Sequence, residues 1–371
     1  MQILPIIDTN QALNEYSAVL STKEAIALDT EFLRVRTFFP RPGLFQVNDG
    51  ENIALIDPLS IDDWAAFSAV MADANIVKVL HACDEDIELL HHFLNVEVTS
   101  VFDTQVAAAF CGYDFCMGYQ RLVAAMFDED IEKGESRSDW MQRPLTAKQV
   151  QYAANDVIYL LRMYQRLKQQ LVDAGHETFV QQECDAVFSN INNADFSNAY
   201  RRVKQAWKLD AAQFSRLKAL ATWREETMRL QDIPRNKIAK NEALMLLAVK
   251  SQWHKNQLFK VEGLPAASVE AFADELLAIV SCDYNDATQV MPKPLKSEPW
   301  LAKLKKSLLS LAESQGIDEK MLSKKLYNES LFALYKASGG KIDADKLAEI
   351  VPDWRHVFYS QAVNAVLTTS E

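Results

Sequence analysis

Ala27-Leu28-Asp29-Thr30-Glu31-Phe32 is the stretch that decides how this chain is read. Residues 25–31 form a short, mostly apolar run that turns acidic at its end, as a buried strand does when it carries carboxylates at its tip. Period two puts Asp29 and Glu31 on one face, with Leu28 and Thr30 on the other. Two adjacent like charges are costly to desolvate unless a cation neutralises them. Taken alone, an Asp-x-Glu is equally the mark of a solvated strand edge.

The flanking sequence supplies a sheet for that strand. The Pro40-Arg41-Pro42-Gly43 turn leads into Leu44-Phe45-Gln46-Val47, then Asn48-Asp49-Gly50, then residues 52–56. Two apolar runs around an Asp-Gly turn predict a hairpin. Residues 62–71 read as helix, 76–81 as a buried strand and 84–94 as helix. A strand at 98–102 and a helix at 103–110 follow. Upstream, residues 1–20 start strand-like and continue as an amphipathic helix. From Gln120 the pattern is helical, with breaks at Gly134 and Pro144. Hairpin strands followed by strands alternating with helices predict an α/β domain, a mixed sheet flanked by helices.

Beyond about residue 205 the pattern is helical throughout. Residues 214–230 repeat at helical spacing, Asp232-Ile233-Pro234 breaks them, and 242–249 resume. Gly263-Leu264-Pro265 marks a turn before 269–280. The stretch Val290-Met291-Pro292-Lys293-Pro294-Leu295-Lys296 reads as a linker into a second helical block. Three domains are expected, at 1–200, 208–288 and 295–371. The last is expected to be dispensable for cleavage of short strands.

Charge divides along the same line. Residues 1–200 hold 13 basic and 30 acidic side chains, net −17; residues 201–371 hold 26 and 21, net +5, which together give the overall −12. An acidic chain is a poor prior for nucleic-acid binding, because phosphate contacts rest on Lys and Arg. The split softens that objection: metal ligation needs acid, and a basic second half would attract anions. Solvated helix faces explain the +5 equally well. Five cysteines, Cys83, Cys111, Cys116, Cys184 and Cys282, form no zinc pattern. They read as reduced, buried thiols of a cytoplasmic protein. The start, MQILPIIDTNQALNEYS, lacks the basic and apolar regions of a signal peptide, and no run is long enough to span a membrane.

Two further carboxylates complete a set. Asp86 lies in His81-Ala82-Cys83-Asp84-Glu85-Asp86, following a strand, in the first turn of a helix. Acidic residues favour helix N-termini for dipole reasons alone. Asp156 lies in Tyr152-Ala153-Ala154-Asn155-Asp156, one helical turn after Tyr152 and on its face. By itself that pair reads more readily as a half-exposed tyrosine above a polar aspartate. Hard cations such as Mg²⁺ take oxygen ligands, and two of them can hold the attacking and leaving oxygens of a phosphodiester.

In order, these segments resemble the DEDD superfamily of 3′→5′ exonucleases, in the branch whose last motif is Tyr-x-x-x-Asp. Leu44-Phe45-Gln46-Val47 and Val101-Phe102-Asp103-Thr104 are similar to further landmarks, and the resemblance covers roughly residues 5–170. The helical remainder resembles the layout of the ribonuclease D family: a ribonuclease H-like exonuclease domain followed by two HRDC-like helical domains. Residues 214–280, with Ile233-Pro234-Arg235 and Glu262-Gly263-Leu264-Pro265, resemble the first. The second rests on length, helicity and position.

The resemblance implies a 3′→5′ exoribonuclease that releases nucleoside 5′-monophosphates with two divalent ions, Mg²⁺ or Mn²⁺. It implies that Asp29, Glu31 and Asp156 hold the ion that binds the attacking water. Asp29 would bridge to a second ion, with Asp86 acting there directly or through water, and Tyr152 would orient the water. Glu31 and Thr30 would contact the terminal nucleotide; Gln46 would do so too, or is an inward strand residue satisfied by backbone. The implied partner is RNA with a single-stranded 3′ end, tRNA precursors among them, and the implied state a cytoplasmic monomer away from membranes. A DNA exonuclease and a non-catalytic RNA-binding scaffold are the alternatives; the presence of all four carboxylates and the tyrosine counts against the scaffold.

Other residues are open to two readings each. Asp103 reads as the N-cap of the following helix. His81 is a structural imidazole or a catalytic one. Arg137, Arg143 and Lys148 meet phosphate or only water. Trp207, Arg224, Arg235, Lys237, Lys240, Trp253 and Lys255 suit single-strand stacking and backbone contact, or are core tryptophans and solvated cations.

Overall fold

The alternation of strands and helices is realised as a six-stranded mixed sheet in the order β1-β4-β3-β2-β5-β6 in a computed structural model. The structure describes residues 1–131, 134–135, 138–192, 195–284, 287–291, 293 and 298–368. The strands are β1 (Gln2–Ile3), β2 (Ala25–Leu33), β3 (Arg41–Asn48), β4 (Asn52–Ile56), β5 (Val77–Leu80) and β6 (Val101–Asp103). β3 and β4 form the expected hairpin, with Phe45 opposite Ile56 and Asn48 opposite Ile53. Its turn is fastened by Asn48 and Asp49, whose side-chain oxygens accept from the amides of Gly50, Glu51 and Asn52 at 2.8–2.9 Å. Gly50 takes φ 91°, a conformation that a Cβ would strain. The pairs β1–β4, β2–β5 and β5–β6 are parallel.

Eight helices accompany the sheet among the described residues: α1 (Asn10–Leu20), α2 (Ala65–Ala72), α3 (Asp84–Leu94), α4 (Thr104–Ala109), α5 (Tyr119–Phe127), α6 (Ala147–Val157), α7 (Leu160–Ala174) and α8 (Glu177–Asn192). The pleat sorts them by face. Phe45 packs on Trp64 and Phe67 at the start of α2, with ring centroids 5.4 and 6.1 Å away. Asn48, on the other face, donates its amide to Val157 O at the end of α6.

Two expected boundaries move for local reasons. Ser100 takes φ 51°, so β6 cannot reach back to Val98. The Asn10 side chain accepts from the amides of Asp62 and Asp63, which delays α2 to Ala65.

Contacts divide the chain into two compact units. One comprises Met1–Leu33, Pro42–Ile191 and Lys296–Glu371; the other comprises Arg34–Arg41 and Asn192–Leu295. The block after the linker, α14 (Pro299–Gln315), α15 (Glu319–Leu322), α16 (Lys325–Ala337), α17 (Ala344–Ile350) and α18 (His356–Thr368), thus shares a hydrophobic core with the sheet domain. Trp354 stacks on Phe179 at 4.9 Å and meets Phe110 edge-on at 5.0 Å. Its indole N–H donates to Glu183, which also pairs with the buried Arg355 at 2.7 Å. Asp318 closes the other end: its amide donates to Ala109 O, and its carboxylate accepts from Phe115 N at 3.0 Å.

The second unit is helical, with α9 (Ala211–Leu230), α10 (Arg235–Ile238), α11 (Asn241–Val249), α12 (Lys255–Leu258) and α13 (Ala266–Ser281) around a core of its own. Glu225, 1% exposed, pairs with Arg202, Arg229 and Arg235 at 3.0–3.2 Å. The segment 34–41 joins this unit. Phe38 lies under the Arg229 guanidinium at 4.8 Å, and Phe39 N donates to the Asp232 carboxylate at 2.8 Å. Of the cysteines, Cys83 and Cys184 are buried, whereas Cys116 and Cys282 are exposed, which corrects the expectation of five buried thiols.

Candidate active site

β2 runs inside the sheet, between β3 and β5, and carries Asp29 and Glu31 near its C-terminal end. Asp29, Glu31 and, from α6, Asp156 each offer an oxygen, and these oxygens all lie within 4.8 Å of one another. A capping box between Thr146 and Gln149 starts α6 at a fixed residue and so fixes the register of Tyr152 and Asp156. Asp86 arrives in the first turn of α3, is buried, and accepts the hydroxyl proton of Thr30 at 2.5 Å. Thr30, expected to touch the terminal nucleotide, here orients Asp86.

Burial and mutual repulsion dominate the electrostatics. Burial pushes the Asp29 carboxyl well above the usual carboxylate range, and the charges of Asp86, Asp156 and Glu31 add to it. Burial and the Asp156 and Asp86 charges raise Glu31 to about 9. Asp86 and Asp156 are raised by burial to about 7 each, against the opposing pull of the Thr30 and Tyr152 hydroxyls. Such a group keeps part of its protons at neutral pH unless a cation replaces them, as a metal-ligating set does before loading. The donor set is all oxygen, as Mg²⁺ and Mn²⁺ prefer.

Burial, with the charges of Asp156, Glu31 and Asp29, keeps the Tyr152 phenol protonated far above neutral pH. Its ring faces the buried Trp140 at 6.0 Å. Gln46 is fully buried, two residues before Asn48 and therefore on the α6 face; neither atom of its amide has a hydrogen-bond partner.

His81 is held at both ring nitrogens, Nδ1 by the Thr104 hydroxyl at 2.9 Å and Nε2 by Met117 O at 3.0 Å. Burial lowers its pKa. This is a structural imidazole. Asp103 caps α4 through the amides of Gln105 and Val106, and also accepts from Ala82 N and Cys83 N at 3.0 Å. It thereby fixes the turn, with Ala82 at φ 58°, that delivers Asp86. Arg143 is consumed by protein acceptors and does not meet phosphate. Lys148 is exposed, and Arg137 lies outside the described residues. In the helical unit Arg224 is fully buried, donating to Ala239 O and Asn241, and so presents nothing to a nucleic acid. Arg235 is tied to Glu225, while Lys237, Lys240 and Lys255 are exposed and Trp207 and Trp253 half-buried.

Tyr119 carries no signal in the sequence yet sits at the site. Its hydroxyl donates to Asn155 O at 2.8 Å and accepts from Tyr159 N at 3.2 Å, clasping the break between α6 and α7 beside Asp156. Its ring meets His81 edge-on at 5.8 Å. A lone tyrosine at the start of a helix, with no spacing to any carboxylate motif, gives nothing to read.

Known proteins resemble this chain along most of its length. Residues 4–172 match the family model described as 3′-5′ exonuclease, and residues 213–280 match the HRDC domain. The chain is 37% identical over 351 residues to ribonuclease D of Pseudomonas paraeruginosa, covering 92% of each. It is 32% identical over 371 residues to ribonuclease D of Escherichia coli, covering 98% of each. The crystal structure of E. coli RNase D, described as an exoribonuclease involved in structured RNA processing, matches with a TM-score of 0.83 at 30% identity, covering 98% of both chains.

Proposed function

The chain belongs to the ribonuclease D family of 3′→5′ exoribonucleases, and from that premise we propose that it trims structured RNAs, tRNA precursors among them, by hydrolysis assisted by two divalent ions. The observation that carries this reading is the trio Asp29, Glu31 and Asp156, whose oxygens converge within 4.8 Å. In this proposal the trio holds one Mg²⁺ or Mn²⁺, and Asp29 with Asp86 serves a second. Bound there, the ions would lower the pKa of water and neutralise charge on the phosphodiester.

The chain's own groups do the rest. Tyr152 keeps its proton and acts by orienting water, since a phenol held protonated is no base at neutral pH. Thr30 fixes the Asp86 carboxylate. Glu31 and Gln46 are assigned to the terminal nucleotide. The product is a nucleoside 5′-monophosphate. The exposed lysines of the helical unit are assigned to the RNA backbone, and the enzyme is proposed to work as a cytoplasmic monomer. No described helix is long and apolar enough to cross a membrane.

The test is a 5′-labelled RNA with a short 3′ tail, incubated with Mg²⁺, with Mn²⁺ and with EDTA, beside the Asp29→Asn variant. A ladder shortening from the 3′ end, lost in EDTA and in the variant, is expected. A ladder that survives in the variant would remove these carboxylates from the reaction. Equal rates on a matched DNA strand would remove the RNA selectivity.

A further inference from the structure

We propose that Arg143 is a positioning residue for Tyr152, acting through Trp140 in the loop before α6; the inference rests on the water-orienting role proposed for that tyrosine. The five N–H donors of the guanidinium all have acceptors. Nε and Nη2 each reach an Asp57 carboxylate oxygen at 2.6 Å, and Nη2 also donates to Gly43 O at 2.6 Å. Nη1 donates to Trp140 O at 2.9 Å and Gln142 O at 2.8 Å. A fork-to-fork pair of this kind fixes direction as well as distance, which lysine cannot do.

The consequence falls on Trp140. Asp57 follows β4 directly and Gly43 belongs to β3, so Arg143 fastens the loop 139–144 to two strands at once. The loop is tied to α6 as well, because the Gln149 side chain donates to Asp139 O at 3.1 Å. Gly43 permits the close approach. A Cβ there would lie 2.9 Å from both Trp140 Cβ and Trp140 O, and 3.2 Å from Glu31 O. The indole, 3% exposed, then packs beside the half-buried ring of Tyr152. Gly43, which lies beside the strand that carries Glu31, and the helix that carries Tyr152 therefore both meet one tryptophan, whose place Arg143 sets. No donor of Arg143 remains for a phosphate.

The test is kinetic and uses the full chain with a short single-stranded RNA. Arg143→Lys is expected to lower kcat by about ten-fold or more, the scale of a small misplacement of a reacting group, with KM and the Mg²⁺ midpoint unchanged. In a Tyr152→Phe background the same substitution should add little, because its effect passes through the lost hydroxyl. Trp140→Phe, which keeps a ring in the core, should behave like Arg143→Lys and likewise be silent in that background. Full, multiplicative losses in a slowed Tyr152→Phe enzyme would overturn the positioning role alone. A Tyr152→Phe enzyme at the wild-type rate would overturn this inference together with the role assigned to the tyrosine. A raised KM with unchanged kcat would make Arg143 a binding residue and also overturn it.

Discussion

Asp29 is held at odds with the stability of its own fold. A carboxyl whose pKa is raised on folding binds its proton more tightly in the native state than in the unfolded chain. Stability is therefore lost as pH rises from the unfolded value, about 4, through the raised native one. In EDTA, Asp29→Asn should raise the melting temperature at pH 8 while abolishing hydrolysis; an unchanged or lower melt would contradict the repulsion described here. Tyr152→Phe should slow turnover and leave the metal midpoint in place, which titration of activity against Mg²⁺ would check. Tyr119→Phe strands Asn155 O and Tyr159 N, at a cost of roughly 1–3 kcal/mol measurable by urea unfolding. Asp29, Glu31, Asp86, Tyr152 and Asp156 could be singled out in the sequence, but each motif alone was open to a solvated role, and only their order, which resembles the exonuclease family, proposed them as one set. The parts of Tyr119 and Arg143 were not legible, because what they hold lies 36 and 86 residues away in sequence. Neither has a local pattern.

At the scale of elements, the hairpin, the β5–α3 passage and the capped helices follow from signals a few residues long: Asp-Gly, an acidic first turn, Thr-x-x-Gln. What single backbone angles decide is harder to read, as at Ser100, where a left-handed residue shortens β6. The helices after the linker show the same divide. Their apolar spacing was visible, whereas their attachment to the sheet domain rests on Trp354, Arg355 and Asp318 meeting partners far upstream. Deleting residues 298–368 would bare Phe110 and Phe179. It should then destabilise the nuclease itself, in contrast to the dispensable block suggested by the linker. Trp354→Ala alone should cost roughly 3–5 kcal/mol. Urea unfolding of the full chain reads that directly; a loss below about 1 kcal/mol, the scale of an ordinary surface change, would deny the block its structural part.

Over the whole molecule the two units should answer pH in opposite senses. Burial alone would raise the Glu225 carboxyl, but the guanidiniums of Arg235, Arg229 and Arg202 outweigh it and hold it below the usual range. Its contribution is therefore full above the unfolded value and is lost as pH falls through the native one. Calorimetry in EDTA should show the helical unit weakening in acid and the nuclease unit weakening toward alkaline pH, with Mg²⁺ restoring only the latter. Parallel shifts of both would refute the assignment. Net charge by halves hinted at two regimes, but the formal count places Glu225 among ordinary acids.

The excursion of residues 34–41 limits how such a chain can be rebuilt by recombination. A module bounded by two linkers can be exchanged between relatives as one cassette. The helical unit is not bounded so, since Phe38 and Phe39 are spliced into it from between two strands of the other unit. A hybrid that imports 192–295 alone would seat a foreign Arg229 and Asp232 counterpart against a resident loop that did not evolve with them. Chimeras between relatives are therefore expected to inherit the short loop and the long segment together, as one discontinuous unit of heredity.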